Sequence, residues 1–475
     1  MHGAGATPAR GQGAPLGLPS RSLRGRSLAT IKLKRGYDIA LTGAAEPTIE
    51  DAPLPEAVAI KPPDFRGLIA RPAVNEGDAV KAGTPLFHDK TFEQIKFTSP
   101  VSGIVVNVNR GERRAITEVI VRRDGDAVEQ LQVADPAGGR DAVLATLLES
   151  GLFPFLVQRP LARLADPGVT PRDIFVAAMD TAPLAPTTEL LLQGREEHFA
   201  VGVRALGALT SGSVHVASAP GTELPDLSAT ANAVVHRFEG PHPAGNVGTH
   251  IHHLAPIAGR ADVVWTCSLK GVLAIGALFA TGALDSSCVV AVCGDDAPKK
   301  RYVRTTIGAR VDTVLGGEPS DPATVRYISG NPLTGTQITP AGFVGFHDSS
   351  VTLLPEVVAP RFFGHSLPGF NLASRSRTFM STWLSPGKPT SMTTGLNGGE
   401  RAFIATGIYR DVSAIDFHPE FLMKSIMAED IPEMEGLGVY EIAEEDVALC
   451  EYICPSKIEW QEITRRGLEL IEREA

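Results

Sequence analysis

The sequence has no apolar run long enough to cross a bilayer. Its longest, Val272 to Leu284, is interrupted by Gly and Thr and stopped by Asp285, well short of the ~20 residues a spanning helix needs. Passage of ions through this chain is disfavoured on that ground. Cysteine is scarce: five residues, at 267, 288, 293, 450 and 454, in 475. They are too few and too irregular for a disulfide scaffold, so a reducing compartment fits better. Positive charge is not in excess, since Lys+Arg 44 against Asp+Glu 54 leaves −10. No basic tract follows the first thirty residues, which argues against a nucleic-acid partner. The glycine fingerprints Gly-x-Gly-x-x-Gly and Gly-x-x-x-x-Gly-Lys-[Ser/Thr] are missing. The backbone then lacks the close approach that a dinucleotide or ATP phosphate requires. No Gly-x-Ser-x-Gly elbow nominates a nucleophile.

What is present is a chain that is 43% apolar and 21% charged, enough to build real cores over about three domains. Residues 1–30 hold six Gly, three Pro, four Arg and no acid, a composition that cannot order itself. They read as a tail, a transit-type leader or the product of an upstream start codon. Without their four arginines the body carries −14. From Ile31 short β-type runs alternate with turns. Val74 to Val80 and Lys81 to Leu86 flank glycine reversals, and Ile104, Val106 and Val108 alternate along a strand that Asn109-Arg110-Gly111 turns. This predicts an all-β module with two similar halves. Between about 172 and 295 strands and helices alternate. Strands are expected at Ile174–Met179, Val214–Ala217, Val263–Cys267 and Cys288–Val292, with helices at Thr188–Leu209 and Leu269–Thr281. That pattern implies a Rossmann-like parallel sheet covered by helices. Tyr302 to Ile338 returns to short strands, and a helix is expected near Glu459 to Glu474.

Open parallel sheets bind ligands at the carboxyl ends of their strands. Asp180-Thr181, Gly240-Pro241-His242, Ser268 to Lys270 and Gly294-Asp295-Asp296 all follow expected strands and are the candidates to line one crevice. Five of twelve histidines, His236, His242, His250, His252 and His253, fall in one short stretch. Clustered imidazoles suit zinc or copper, but no Cys pair or carboxylate sits at ligand spacing beside them. Rings that cap loops and bond to main chain are the plainer expectation. His250 and His252 share a face only if the segment is extended.

In the β module, Glu-Gly-Asp-x-Val-x-x-Gly precedes Asp89-Lys90 and a Ser-Pro-x-x-Gly motif follows. This is the pattern of lipoyl and biotinyl carriers, whose lysine carries a swinging arm. Eight residues separate Lys90 from Ser99, two more than the carrier spacing, so an unmodified hairpin lysine in a barrel-sandwich fold is the expectation. Near the end, Cys450-Glu451-Tyr452-Ile453-Cys454-Pro455 has the spacing of the last two ligands of a ferredoxin run. The earlier ligand positions hold Val447 and Glu444, and two thiolates cannot hold a cluster that needs four.

Several long segments together, in one order, carry a resemblance. They are Ile31 to Asp38, Leu148 to Leu152 with Arg159-Pro160, Ala178 to Thr181, Gly240 to Gly245 with Gly248 to His252, Asn397 to Ala402, and Glu445 to Cys450. From about Ile31 to the C-terminus the sequence resembles the A-subunit family of the sodium-translocating NADH:quinone oxidoreductases (Na+-NQR), themselves similar to the C subunit of Rnf complexes and to the NADH- and flavin-binding subunit of complex I. The resemblance implies a multidomain α/β protein: a disordered extension (1–30), a barrel-sandwich hybrid β domain (31–130), a Rossmann-like α/β domain (131–295), a β-grasp, SLBB-like domain (296–345), and a mixed region ending in a helical ferredoxin-like remnant (346–475). It implies a peripheral subunit on the cytoplasmic face of a bacterial inner membrane, partnered by membrane subunits of a complex that uses NADH, flavins, iron–sulfur centres and ubiquinone and exports Na+ through other subunits. Where the relatives have a glycine-rich flavin loop this chain has Gly151-Leu152-Phe153-Pro154-Phe155, and only Cys450 and Cys454 stand for the cluster ligands. The expectation is that this chain itself binds no cofactor and no metal and has no complete active site. Gly240, Pro241, His242, Gly245, Thr249, His250 and His252 are the candidates for a quinone or partner surface, with His242, His250 and His252 as polar anchors for a quinone head group. The alternatives are a lipoyl- or biotin-type carrier and an Rnf-type electron-transfer subunit.

Overall fold

In the computed structural model, residues 30–357, 368–370, 372, 375–396 and 398–474 are described. The expected tail, except Thr30, and Asn397 lie outside the described residues. The alternating runs of the β module form two small antiparallel sheets. One has the strands Ala57–Ile60, Ile116–Arg123, Gly103–Arg110 and Ala79–Val80 in that order, the other Ala70–Pro72, Pro85–Asp89 and Lys96–Thr98. Val58, Leu86, Val105, Val119 and Val121 are fully buried between them, and Phe87 stacks on Phe97 at 4.7 Å. Lys90 is exposed in the hairpin loop after Asp89, and its N–H bonds to Ile69 O at 2.9 Å.

The second unit is a seven-stranded sheet in the order Thr30–Lys32, Ala233–Glu239, Val214–Ser218, Ile174–Ala177, Val264–Ser268, Leu156–Arg159, Arg163–Leu164. The first five strands are parallel and the last two antiparallel. Helix Leu269–Thr281 starts where the Ser268 hydroxyl accepts from Gly271 N–H, a side-chain cap that satisfies one orphan donor. It ends at Gly282 in the left-handed region. Buried from Leu269 to Leu278, it packs on helix Glu196–Gly207, and only glycine fits at the crossing. A Cβ on Gly202 or Gly276 would collide with the carbonyls of Val272 and His198.

Two expectations are corrected here. The helix expected over Thr188–Leu209 is two helices, Thr188–Leu192 and Glu196–Gly207, because Gly194 at φ +73° turns the chain between them. The strand expected at Cys288–Val292 exists, as Ser287–Cys293, but belongs to a separate six-stranded sheet. There it pairs antiparallel with Arg301–Thr306 and parallel with Ser350–Pro355. That sheet continues through Val325–Ser329 and Thr336–Ile338 on one side and takes Glu46–Asp51 on the other. An apolar run reads alike in either sheet, so periodicity could not assign it.

Helices Pro419–Met427, Ile431–Gly436, Glu444–Ile453 and Trp460–Glu474 close the chain around Tyr409, Leu422, Met423 and Trp460. Charges fasten this end to the sheets. Arg159, 1% exposed, is held by Glu445 and by Asp446 at 3.4 Å. Glu444 takes Arg465 and, at 3.3 Å, Arg66 of the β module, while Arg163 meets Glu472.

Candidate functional site

A cavity of about 260 Å³ opens beyond the carboxyl ends of strands Ile174–Ala177 and Val264–Ser268. Three of the four segments expected there meet in it. Asp180 comes from the first strand end, His242 with Gly245 from the loop after Ala233–Glu239, and Ser268 with Lys270 from the start of helix Leu269–Thr281. Gly294-Asp295-Asp296 does not, because its strand left this sheet. Gly294 N–H bonds to Gly43 O, and Asp295 accepts from the Thr42 hydroxyl at 2.9 Å. The opposite wall consists of residues the sequence did not nominate: Asn331, His347 and Asp348 from the six-stranded sheet and Glu445 from the helical end. Only long-range pairing brings them here. The turn Gly330-Asn331-Pro332 was the one local sign that a loop end lay there.

The wall is polar and specifically wired. Thr181 Oγ1 accepts from Gly245 N–H at 2.8 Å and lies 3.1 Å from His242 Nδ1. The hydroxyl thus links the Gly245 backbone to the His242 ring. Gly245 is required for this approach, since a Cβ would sit 2.6 Å from Thr181 N. His242 is 3% exposed, and burial lowers its pKa to about 4. The same loop is tied to the chain's start: His242 N–H donates to Asp38 at 2.8 Å and His242 O accepts from Tyr37 N–H. Asp180 is exposed to the open cavity, and desolvation raises its pKa against the two backbone N–H groups that lower it. His347 is lowered to about 4, by burial first and then by Lys270. The Lys270 ammonium, in a residue 8% exposed, donates to Asp348 O at 2.8 Å.

The other candidate residues are elsewhere. Val247–Leu254 is a helix, so His250 and His252 point about 200° apart at 100° per residue. They do not share a face as an extended segment would allow. His250, 1% exposed, donates from Nε2 to Ala244 O at 2.8 Å and packs on Phe238 at 4.5 Å, and burial lowers its pKa to about 4. His252 donates from Nδ1 to Glu441 at 2.9 Å and accepts from Asp416 N–H at Nε2. Thr249 donates to Pro243 O. Gly240 lies where a Cβ would strike Leu33, and Pro241 packs beside Gly36. His236 reaches His215 at 3.0 Å, and His253 bonds Thr249 O. These rings do not converge, and among the described residues no group of three or more His, Cys, Asp or Glu could hold a metal. Cys450 and Cys454 are buried. Tyr409 OH stands 3.3 Å from Cys454 Sγ, and Cys450 Sγ faces Tyr409 O. This donor set does not fit an iron–sulfur cluster.

Comparison with known proteins places this architecture. Residues 31–124 match the NqrA N-terminal barrel-sandwich hybrid domain, 139–284 the NqrA second alpha/beta domain, and 289–339 the NQRA C-terminal domain. The chain is 38% identical over 449 residues to the A subunit of the Na(+)-translocating NADH-quinone reductase of Vibrio vulnificus and 37% identical to that of Neisseria meningitidis. In both cases 94% of this chain and all of the relative are covered. The corresponding protein of Serratia proteamaculans is 37% identical over 454 residues with the same coverage. Among solved structures, an NAD+-reducing [NiFe]-hydrogenase aligns with 71% of this chain and 61% of its own at 12% identity and a TM-score of 0.37. The resemblance carried by the sequence motifs is borne out: this chain belongs to the NqrA family, the A subunits of Na(+)-translocating NADH-quinone reductases.

Proposed function

We infer that this chain serves as the A subunit of a sodium-pumping NADH–quinone reductase and that its own part in the complex is architectural. The observation that carries the first statement is the alignment with NqrA proteins over their whole length. The architectural reading rests on the polar census of the histidine loop. Gly240, Pro241, Thr249, His250 and His252 spend their groups on joining the N-terminal segment, the parallel sheet and the helical end. They act as an internal joint, with Thr249 and His250 fully buried in it. Only His242 and Gly245 of the candidate set reach the cavity, where Asp180, Lys270, His347 and Asp348 stand among apolar residues such as Met179, Leu191 and Leu269.

In this reading the redox groups and the sodium path belong to other subunits, and the chain docks peripherally, on the cytoplasmic face, against membrane subunits. No helix among the described residues is long and apolar enough to cross a membrane. The five parallel strands with their covering helices support a Rossmann-like domain, and the six-stranded sheet supports a β-grasp, SLBB-like unit that recruits strand Ser287–Cys293. The test is reconstitution. The complex purified without this chain should lose most of its sodium-stimulated NADH oxidation, and adding the full chain should restore it. A short-chain ubiquinone titrated into the isolated chain should leave unchanged the fluorescence of Trp265, which lies in the strand that ends at Ser268 on the cavity wall. A saturable quench would replace the architectural reading with a quinone site.

A further inference from the structure

We propose that the turn around helix Ser381–Leu384 is a docking surface for anionic phospholipid, with Met380, Trp383 and Leu384 as its apolar anchors. The inference rests on the reading of this chain as a peripheral subunit of a membrane complex and adds what one face of it meets there. Trp383 is 64% exposed and Leu384 63%, and Phe370 and Met380 are exposed in the same stretch. Met380, the N-cap, stands at i with Trp383 and Leu384 at i+3 and i+4, the spacing of one helix face. That face is turned to solvent, whereas the preceding Phe379 is buried. The turn is built to present it. Met380 N–H bonds to Pro368 O at 2.8 Å, the Ser381 hydroxyl donates to Leu372 O, and Phe379 lies so close to Gly369 that a Cβ there would sit 2.3 Å from its ring. Thr390 then ties the segment to the chain's start through Ala40 O and Thr42 N–H. An apolar patch held outward in this way marks an interaction surface.

Charge says what covers it. Between Glu356 and Glu400 the sequence has no acid and four cations, Arg361, Arg375, Arg377 and Lys388, in a body that otherwise carries a large negative charge. Arg375 meets Asp411 at 3.2 Å. Arg377 and Lys388 are exposed, and among the described residues neither forms an ion pair. The Arg377 guanidinium stands 5.8 Å over the Trp383 ring, and the indole N–H donates to Arg377 O at 3.3 Å. A cation is thus held on the apolar anchor itself. Indole rings settle at the headgroup level of a bilayer, and arginine and lysine reach from there to lipid phosphates. A membrane protein is the poorer fit, because its cytoplasmic loops are rich in Lys and Arg. Such loops suit the acidic remainder of this chain, while a cationic, acid-free segment suits the anionic lipid around them.

The experiment uses the full chain and vesicles of phosphatidylcholine with or without an equal part of phosphatidylglycerol. The chain has three tryptophans, and Trp265 and Trp460 are fully buried, so a change in emission reports Trp383. Vesicles with phosphatidylglycerol should sediment the chain and shift its emission to the blue, and salt should weaken both effects. Trp383→Ser with Leu384→Ser alters two exposed side chains. The pair should leave the melting temperature unchanged and lower vesicle partitioning roughly tenfold or more. Arg377→Gln with Lys388→Gln should flatten the dependence on phosphatidylglycerol. A wild-type chain that ignores the anionic vesicles overturns the proposal. So does binding without a blue shift and undiminished in the serine variant, which marks attachment through the arginines of residues 1–30. If the wild type ignores lipid but the serine variant no longer copurifies with membrane subunits, a protein covers the patch. If the variant instead dissolves a dimer, a second copy does. Lipid vesicles contain no other subunit, so this test and the reconstitution test of the assembly role fail separately.

Discussion

The histidine loop and the cavity beside it are built from the same residue types and treat them oppositely. In the loop most polar groups bond inside the chain, His250 Nε2 to Ala244 O, His252 to Glu441 and Asp416, Thr249 to Pro243 O, and the buried His250 Nδ1 is the exception, with no partner among the described residues. In the cavity Lys270 has spare donors, His242 bonds through its ring to Thr181 alone, and Asp180 has a carboxyl that desolvation disfavours in its charged form. A matched network holds elements together and leaves nothing for a ligand. An unmatched set invites one. Clustering in sequence therefore marked the joint, while the residues with free valence were spread over three segments.

The sharpest way to break that contrast is at the joint's charged core. Asp446→Ala leaves Arg159 buried with Glu445 alone and frees the Ala443 N–H that Asp446 accepts at 2.9 Å. It should cost about 3 kcal/mol in urea unfolding, the range for a buried pair broken from one side.

The buried imidazoles come next and show in the pH dependence. His236, His242, His250 and His347 are each lowered to about 4, by burial above all. Unfolding lets them bind protons near their ordinary value of 6.5, so their contribution is fully present above pH 6.5. It is lost progressively as the pH falls from 6.5 towards 4. Between pH 6.5 and 5 His250 alone accounts for about 1.5 kcal/mol of that loss, and His250→Gln should flatten the profile by that amount.

His252→Ala removes a half-buried hydrogen-bonded bridge and should cost about 1 kcal/mol. On the cavity side the sign changes. Asp180→Asn replaces a carboxyl whose pKa desolvation raises, and should be neutral or slightly stabilising at pH 7. If it costs as much as Asp446→Ala, the cavity is as tightly matched as the joint and the comparison fails. Smallest of all, the intact mass should equal the sequence with no arm on Lys90, and Lys90→Arg should change stability by less than about 0.5 kcal/mol.

Much of this was readable in the chain. The helix Leu269–Thr281 announced both its ends through Ser268 and Gly282, and the crevice at the strand ends followed from parallel topology with three of its four segments correct. What escaped reading has physical reasons. A run such as Ser287–Cys293 is apolar on both faces and carries no label for its sheet. Gly194 breaks a helix whose apolar spacing continues past it. His347, Asp348 and Glu445 reach the cavity through contacts across tens to hundreds of residues, which no local pattern encodes. The two-residue excess after Lys90 and the two missing cysteines were legible because ligand count and spacing are local quantities.

The most direct test of the account is purification of the chain from detergent-solubilised membranes of its own host. The account predicts that it comes with the other subunits in constant stoichiometry and that the set oxidises NADH faster when sodium is added. A set that assembles and shows the full sodium-stimulated rate with this chain absent would contradict it.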